Sequence, residues 1–364
     1  MRIAILHDHL RFIGGGERVA ILLADALKAD LFVADFDPNL PERAGLPRVN
    51  IIELGKAPAT PLVRQSRQMA TFRRATLRGY EAYVLTGNWT VFAARRHHPN
   101  LWYCLTPVRI FYDLRETFLR SLSPWTRWAA RRWIRANRLA YEDAARDVDR
   151  VVGISRNVSS RIQRYLGRSC DIVYPPVDVS RYHFAYIGDF WLGVSRLSHE
   201  KRLDLLVEAF RRMPQERLVV AGGPQLGVDL DRFVRSLRPP ENVTFLGEIP
   251  EGKLLELYGT CRGLVATSRD EDFGLAPVEA MAAGKAVVAV DEGGYRESVV
   301  PAETGWLVPA SPDAIANAIA NATPASLEAM RPVCEAQARR FDVPVFVGRM
   351  RTLLERAAAG VTSA

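Results

Sequence analysis

The sequence predicts an α/β protein of two doubly wound domains, each a parallel sheet with helices on both faces. Three observations carry this. Short apolar runs alternate with amphipathic helical stretches through the first half, a rhythm that suits a parallel sheet covered on both faces. The prolines in Tyr174-Pro175-Pro176-Val177-Asp178 interrupt it. Proline lacks an N–H and fixes φ, so this stretch reads as a linker. The same rhythm then restarts, and 364 residues suffice for two domains of ordinary size.

In order, the first half places strands at Ile3–Leu6, Leu31–Ala34, Asn50–Leu54, Ala82–Thr86, Leu101–Leu105, Arg150–Ile154 and Ile172–Tyr174. Amphipathic helices such as Glu17–Lys28 lie between them. The second half places strands at Phe190–Val194, Arg217–Ala221, Val243–Leu246, Gly263–Ala266, Ala286–Val290 and Gly305–Val308. Its helices fall at Arg202–Arg212, Leu230–Leu237, Glu251–Tyr258, Pro277–Ala283 and Pro312–Ala320, and a last one runs from Val345 to Ala359. His97 and His98 are expected on a solvated helix end. Ligands of such sheets sit outside the carboxyl ends of the strands.

Composition narrows the class. Hydrophobic residues make up 48% and charged residues 25%, as in a globular protein that folds in water. No apolar run reaches the length of a membrane-spanning helix. The first residues, Met1 to Leu6, read as a strand rather than a signal-peptide core. Cys104, Cys170, Cys261 and Cys334 lack metal-ligand spacing and suit reduced thiols in a cytoplasmic protein. Charge is uneven. Residues 1–180 hold 28 Lys+Arg against 17 Asp+Glu, net +11, and residues 181–364 hold 21 against 24, net −3. The first half is therefore expected to face something anionic.

Several loops carry chemistry. Glu271 and Glu279 stand eight positions apart, with Phe273, Gly274 and Leu275 between them. The stretch runs from the strand ending near Ser268 into a helix that starts close to Pro277. A strand–loop–helix junction aims free N–H groups and a positive dipole end outward, which suits a phosphate. Flanking carboxylates can accept hydrogen bonds from sugar hydroxyls. Arg196 and Lys201, five apart, follow the first strand of the second half. Arginine binds phosphate bidentately and lysine acts as a point charge. A basic helix start opposes the dipole, so these cations need a reason beyond local stability. Gly14, Gly15 and Gly16 follow the first strand and let backbone approach a ligand closely. His9, Arg109 and Asp113 fall on loops at the same edge. Gly222 and Ile249 end two further strands.

Together these motifs resemble the retaining glycosyltransferases of family 4, which have the GT-B fold. The Glu271-to-Glu279 stretch is similar to that family's Glu-x7-Glu motif, and Arg196 with Lys201 to its Arg-x4-Lys signature. His7-Asp8 with the glycines, and Tyr103 to Asp113, resemble a subgroup that transfers mannose and related sugars in surface polysaccharide synthesis. The resemblance implies an acceptor-side domain over 1–180, a nucleotide-sugar domain over 181–342 and a C-terminal helix over 343–364 that crosses back. It implies that Arg196 and Lys201 neutralise the leaving diphosphate and that Glu271 holds the donor sugar. Phe273, Gly274 and Leu275 would present amides, and Glu279 would bind ribose. Gly15, Gly16, Gly222 and Ile249 would line the donor pocket, and His9, Arg109 and Asp113 the acceptor side.

No metal and no cofactor is implied beyond the co-substrate, GDP-mannose or a UDP-sugar. The acceptor would be a glycan or lipid-linked glycan at the cytoplasmic membrane face. Arg64, Arg67, Arg73, Arg74 and Arg78, with the Trp- and Arg-rich stretch from Trp125 to Arg138, would meet an anionic membrane, and no nucleic acid is expected. Leu105 departs from the subgroup, which has histidine there. Leucine can neither donate a hydrogen bond nor carry charge. The departure leaves a non-catalytic sugar-nucleotide-binding protein, or a UDP-sugar-dependent transferase, as alternatives.

Overall fold

The computed structural model describes residues 1–12, 14–40, 45–56, 58, 60, 62–223 and 229–361, without the side chains of residues 199, 360 and 361. Ile13, which precedes the glycines at 14–16, and Pro224, two residues past Gly222, lie outside the described residues. The chain divides into two compact units. One comprises Met1–Tyr174 with Phe346–Ala364, the other Pro175–Val345. Among the described residues no helix is long and apolar enough to cross a membrane.

The first unit holds β1 (Ile3–His7), β2 (Asp30–Val33), β3 (Ile51–Glu53), β4 (Ala82–Thr86), β5 (Asn100–Cys104), β6 (Arg150–Gly153) and β7 (Asp171–Ile172). They form one sheet in the order β3-β2-β1-β4-β5-β6-β7, with every pair parallel. The central strands β1, β4 and β5 are buried at every position, whereas the edge strands β3 and β7 are not. Burial on both faces explains why the central strands read as continuous apolar runs without alternation. Trp102, Tyr103, Phe72, Phe111 and Tyr141 are the largest fully buried side chains of this core. The final helix, Val343–Val361, supplies Phe346, whose ring meets Tyr103 edge-on at 5.5 Å.

The second unit holds β8 (Phe190–Val194), β9 (Arg217–Ala221), β10 (Val243–Gly247), β11 (Gly263–Ala266), β12 (Val287–Val290) and β13 (Gly305–Val308). Their order is β10-β9-β8-β11-β12-β13, again all parallel. In both sheets the chain winds outward in one direction and then returns to the middle. The order reverses between β1 and β4 in the first sheet and between β8 and β11 in the second. Strand-end loops diverge at such a reversal and leave a crevice for ligand.

Three local expectations need correction. Leu105 lies one residue past β5 rather than in it. Arg202 is left-handed (φ 49°) and precedes the helix Leu203–Arg211 instead of starting it. Its guanidinium is drawn to Glu292 at 2.9 Å, while the Thr267 hydroxyl donates to the carbonyls of Lys201 (2.9 Å) and Arg202 (3.2 Å). These tertiary bonds outweigh the local helical preference. His97 is buried, not solvated. Its Nε2 accepts from the Leu77 N–H (3.0 Å), so its Nδ1 carries the proton and donates to the Ala93 carbonyl (2.7 Å). Burial, partly offset by that bond, lowers its pKa and favours the neutral ring. His98 is half-exposed and pairs with Asp149 at 2.9 Å.

Candidate functional site

Each unit gathers polar residues at the carboxyl edge of its sheet, where the strand order reverses. In the second unit the loop after β8 carries Arg196 and Lys201, and the loop after β11 carries Glu271. Because β8 and β11 are neighbours, residues 70 apart in sequence meet. Lys201 Nζ donates to Glu271 Oε2 at 2.6 Å, with the two side chains only 19% and 18% exposed. Burial by itself pushes the Glu271 carboxyl up. The charge and hydrogen bond of Lys201, a bond from Ser268 and the charge of Arg196 outweigh it and hold the group below the ordinary carboxylate range. Glu271 is therefore ionised at neutral pH, and Lys201 is the main reason. Arg196 itself is exposed.

The Glu271 loop is clamped by its neighbours. The Arg269 N–H donates to the Glu200 carbonyl (2.8 Å) and the Gly294 N–H to the Glu271 carbonyl (2.8 Å). Phe273 is fully buried and meets Phe341 at 5.3 Å, which anchors the loop from below. Gly274 stands at φ 86°, a conformation open mainly to glycine, and caps the helix Leu275–Ala282. Pro277 lies in its first turn, where a missing N–H costs no helical bond. The first-turn N–H groups have no partner one turn back and point along the axis toward the Glu271 loop.

Within the same helix, eight residues after Glu271, Glu279 accepts from the Tyr258 hydroxyl at 2.6 Å. Burial and that carboxylate push the Tyr258 phenol far up, so it remains a donor. Removing one partner of a charge-assisted bond costs about 1.5–3 kcal/mol. Tyr258→Phe is thus expected to lower the urea midpoint of the second unit by a corresponding amount, and an unchanged midpoint would show that the bond contributes nothing. Gly222 and Ile249 lie at the ends of β9 and β10, both half-buried. The Gly222 N–H donates to the Gly247 carbonyl (2.8 Å) and the Leu197 N–H to the Gly223 carbonyl (3.0 Å), stitching three strand-end loops together.

In the first unit, Gly15 and Gly16 open the helix Gly15–Leu27, and Gly14 caps it. The Gly14 N–H donates to Glu17 Oε2 at 2.9 Å. A Cβ on Gly16 would lie 2.6 Å from Leu105 Cδ1, so Leu105 rests directly on this glycine, close to the His7 ring. His7 is buried between the Thr86 hydroxyl (2.8 Å) and Glu17 (3.8 Å). His7 and Glu17 were given no site role from the sequence, although the polar end of an otherwise apolar β1 marks the first of them. Asp8 accepts from the N–H groups of Asn88 (2.7 Å) and Trp89 (2.8 Å), which ties β1 to β4. His9 packs on Phe12 at 5.0 Å, and its buried Nδ1 finds no hydrogen-bond partner among the described residues. Burial lowers its pKa despite the nearby charges of Glu17 and Asp8. Arg109 and Asp113 pair with each other, Nη2 to Oδ2 at 2.6 Å and Nε to Oδ2 at 3.0 Å.

The two doubly wound sheets, each with polar loops at its reversal point, define a GT-B protein. The chain superposes on the sucrose-phosphate synthase of Thermosynechococcus elongatus with a TM-score of 0.77, over 99% of both chains, at 20% identity. Residues 189–340, which carry Arg196, Lys201, Glu271 and Glu279, match the family described as glycosyl transferases group 1.

Among curated proteins, the chain is 39% identical to the lipopolysaccharide core biosynthesis mannosyltransferase LpcC of Rhizobium leguminosarum over 34% of its length. It is 30% identical to the GDP-mannose-dependent alpha-(1-6)-phosphatidylinositol monomannoside mannosyltransferase of Mycolicibacterium smegmatis over 50% of its length. The chain spans about half or less of these relatives, 38% and 55%.

Proposed function

We propose that the chain is a retaining glycosyltransferase that moves mannose from GDP-mannose to a glycan or lipid-linked acceptor at the cytoplasmic face of a membrane. One observation carries this reading: the Lys201–Glu271 pair, at 2.6 Å, beside the helix start at Gly274 and Leu275. It sets a cation for a diphosphate next to a carboxylate for sugar hydroxyls, with backbone N–H groups alongside. The mannosyl transfer and GDP-mannose dependence in the relatives' names support the donor.

On this reading the acceptor oxygen bonds to the anomeric carbon as the bond from that carbon to the phosphate oxygen breaks. The departing phosphate takes the acceptor's proton on the same face. Lys201 and Arg196 stabilise the charge that grows on the diphosphate, the main catalytic contribution where no acid is supplied by the protein. Glu271 accepts from donor hydroxyls, and Phe273, Gly274 and Leu275 present amides. Glu279, oriented by Tyr258, accepts from ribose. Gly15, Gly16, Gly222 and Ile249 shape the donor pocket, and His9 faces the acceptor. The reaction needs no metal and no cofactor. The partners are the nucleotide sugar, the acceptor and an anionic membrane, with no nucleic acid.

Leu105 favours a second reading, a protein that binds sugar nucleotide without transfer, because its side chain on Gly16 offers no polar group. One experiment separates them. Thermal unfolding is followed with GDP, UDP, ADP and their sugar conjugates, and the stabilising conjugate is then incubated with a lipid-linked acceptor. A ligand at about 100 times its dissociation constant adds about 2.7 kcal/mol. Selective stabilisation by GDP-mannose and a new α-mannoside are expected. Selective stabilisation by a UDP-sugar instead reassigns the donor, binding without product supports the second reading, and no shift with any nucleotide overturns both.

A further inference from the structure

The longest described helix of the first unit, Pro124–Arg146, has a face that no described residue covers. Ala130, Ile134, Tyr141 and Ala145 are its buried side. At 3.6 residues per turn, Trp125, Trp128, Arg132, Arg135 and Leu139 fall within an arc of about 80° on the opposite side. All five are exposed, Trp125 at 87%, Leu139 at 65% and Trp128 at 63%. Isolated apolar residues on a surface need no explanation, but two large rings and a leucine aligned on one stripe do. Arg132 sits over the Trp128 ring at 5.3 Å, so cation and aromatic are presented together. The helix carries six arginines against two acids, Glu142 and Asp143. It is tied through Trp133 Nε1 and Ser66 Oγ (2.8 Å) to the helix Val63–Arg74, which has four arginines and no acid.

We infer that this stripe is an interfacial anchor: Trp125, Trp128 and Leu139 enter the headgroup region of an anionic lipid leaflet while Arg132 and Arg135 pair with lipid phosphates. The inference deepens the membrane partner of the proposed function and names the element that makes the contact. Tryptophan suits this depth because its ring is apolar and its N–H still finds water or a headgroup. Arginine beside it keeps its charge at the surface while its stem lies against acyl chains. Two alternatives fit less well. A second copy docked through the same stripe would bring like charges together. A nucleic acid would match the arginines but would leave Leu139 without an apolar partner.

The test is co-sedimentation of the full chain with vesicles of phosphatidylcholine alone or with phosphatidylglycerol, together with tryptophan quenching by lipids brominated on the acyl chain. Wild type is expected to bind the anionic vesicles, weakly at high salt, with quenched emission. Trp125→Ser/Trp128→Ser is expected to lose about tenfold in partitioning and the bromine quenching. Arg132→Gln/Arg135→Gln is expected to lose anionic preference, and Trp125→Phe/Trp128→Phe to retain most binding. All these positions are exposed, so unfolding and nucleotide binding should be unchanged in each variant. Vesicle binding that the Trp→Ser variant retains in full overturns the anchor. So does preference for an RNA homopolymer over anionic vesicles, or a stable dimer that the Trp→Ser variant dissolves. Nucleotide stabilisation measured on the same samples distinguishes failure of the anchor from failure of the transferase reading: if it persists without vesicle binding, only the anchor fails.

Discussion

Lys201→Ala is expected to lower turnover by about two to three orders of magnitude, as loss of a group that stabilises transition-state charge does. It should also destabilise the second unit, because it leaves Glu271 ionised, largely buried and without its lysine. Breaking a buried pair costs about 3–5 kcal/mol, and the lower end applies to side chains that keep some water. The pH dependence identifies the mechanism. In the wild type Glu271 is held below its unfolded value. Its contribution is therefore fully present above the unfolded value and is lost as pH falls through the folded one. Without Lys201, burial dominates and the folded value rises above the unfolded one. The sign then inverts, and stability is lost as pH rises from the unfolded value toward the folded one. The gap between wild type and variant in urea midpoint should widen from about pH 4 to about pH 7. Lys201→Ala/Glu271→Gln should close most of that gap without restoring turnover. A gap independent of pH would show that the lysine stabilises by packing alone.

Gly294→Ala is the second large effect, and it reaches the site through the backbone. Gly294 has an ordinary helical φ of −68°, so its torsion would favour alanine slightly. The neighbouring chain forbids it: a Cβ there would lie 2.3 Å from Phe273 Cα and 2.6 Å from the Phe273 carbonyl oxygen. Backbone cannot swing aside as a side chain can, so the Glu271–Phe273 loop must move. Overpacking of this kind costs about 1–3 kcal/mol, a drop of several degrees at this size. Nucleotide-sugar affinity should fall about tenfold or more, since misplacement of about 1 Å at a site is felt strongly. Gly252→Ala is the control. It lies in the helix Glu251–Thr260 with nothing near its added Cβ, and should be neutral or stabilise by up to about 1 kcal/mol. Calorimetry with the stabilising nucleotide would read both. Equal affinities for wild type and Gly294→Ala would show that the loop does not form the donor site.

Much of this architecture was legible in the sequence because its signals are local. A central strand of a parallel sheet is buried on both faces, so β1, β4 and β12 announce themselves as apolar runs. The edges were harder. β7 is two residues long, and its third expected residue, Tyr174, already belongs to the exit toward the linker. Arg202 misled because its helix pattern was sound while its bonds to Glu292 and Thr267 came from distant loops. His97 misled because a histidine beside Arg96 on a polar segment looks solvated, and only the fold brings the Leu77 N–H to its ring. The tryptophans of Pro124–Arg146 announced an amphipathic helix without saying which of them face the core. Trp133 turns to Ser66, and Trp125 and Trp128 turn outward.

By itself the sequence determined the residue chemistry and the two-part organisation. It contained the break at Pro175-Pro176, the cations five apart, the carboxylates eight apart and the glycines that let a loop turn. These follow from torsional preference and from short-range spacing. Only the tertiary structure decided who meets whom. Glu271 takes Lys201, and Glu279 takes Tyr258. The first of these pairs depends on β8 lying beside β11, a choice made by parallel pairing across most of the second sheet. Parallel neighbours are joined by long crossovers, so the contacts that build this site are far apart in sequence and arise from the packing of whole sheets.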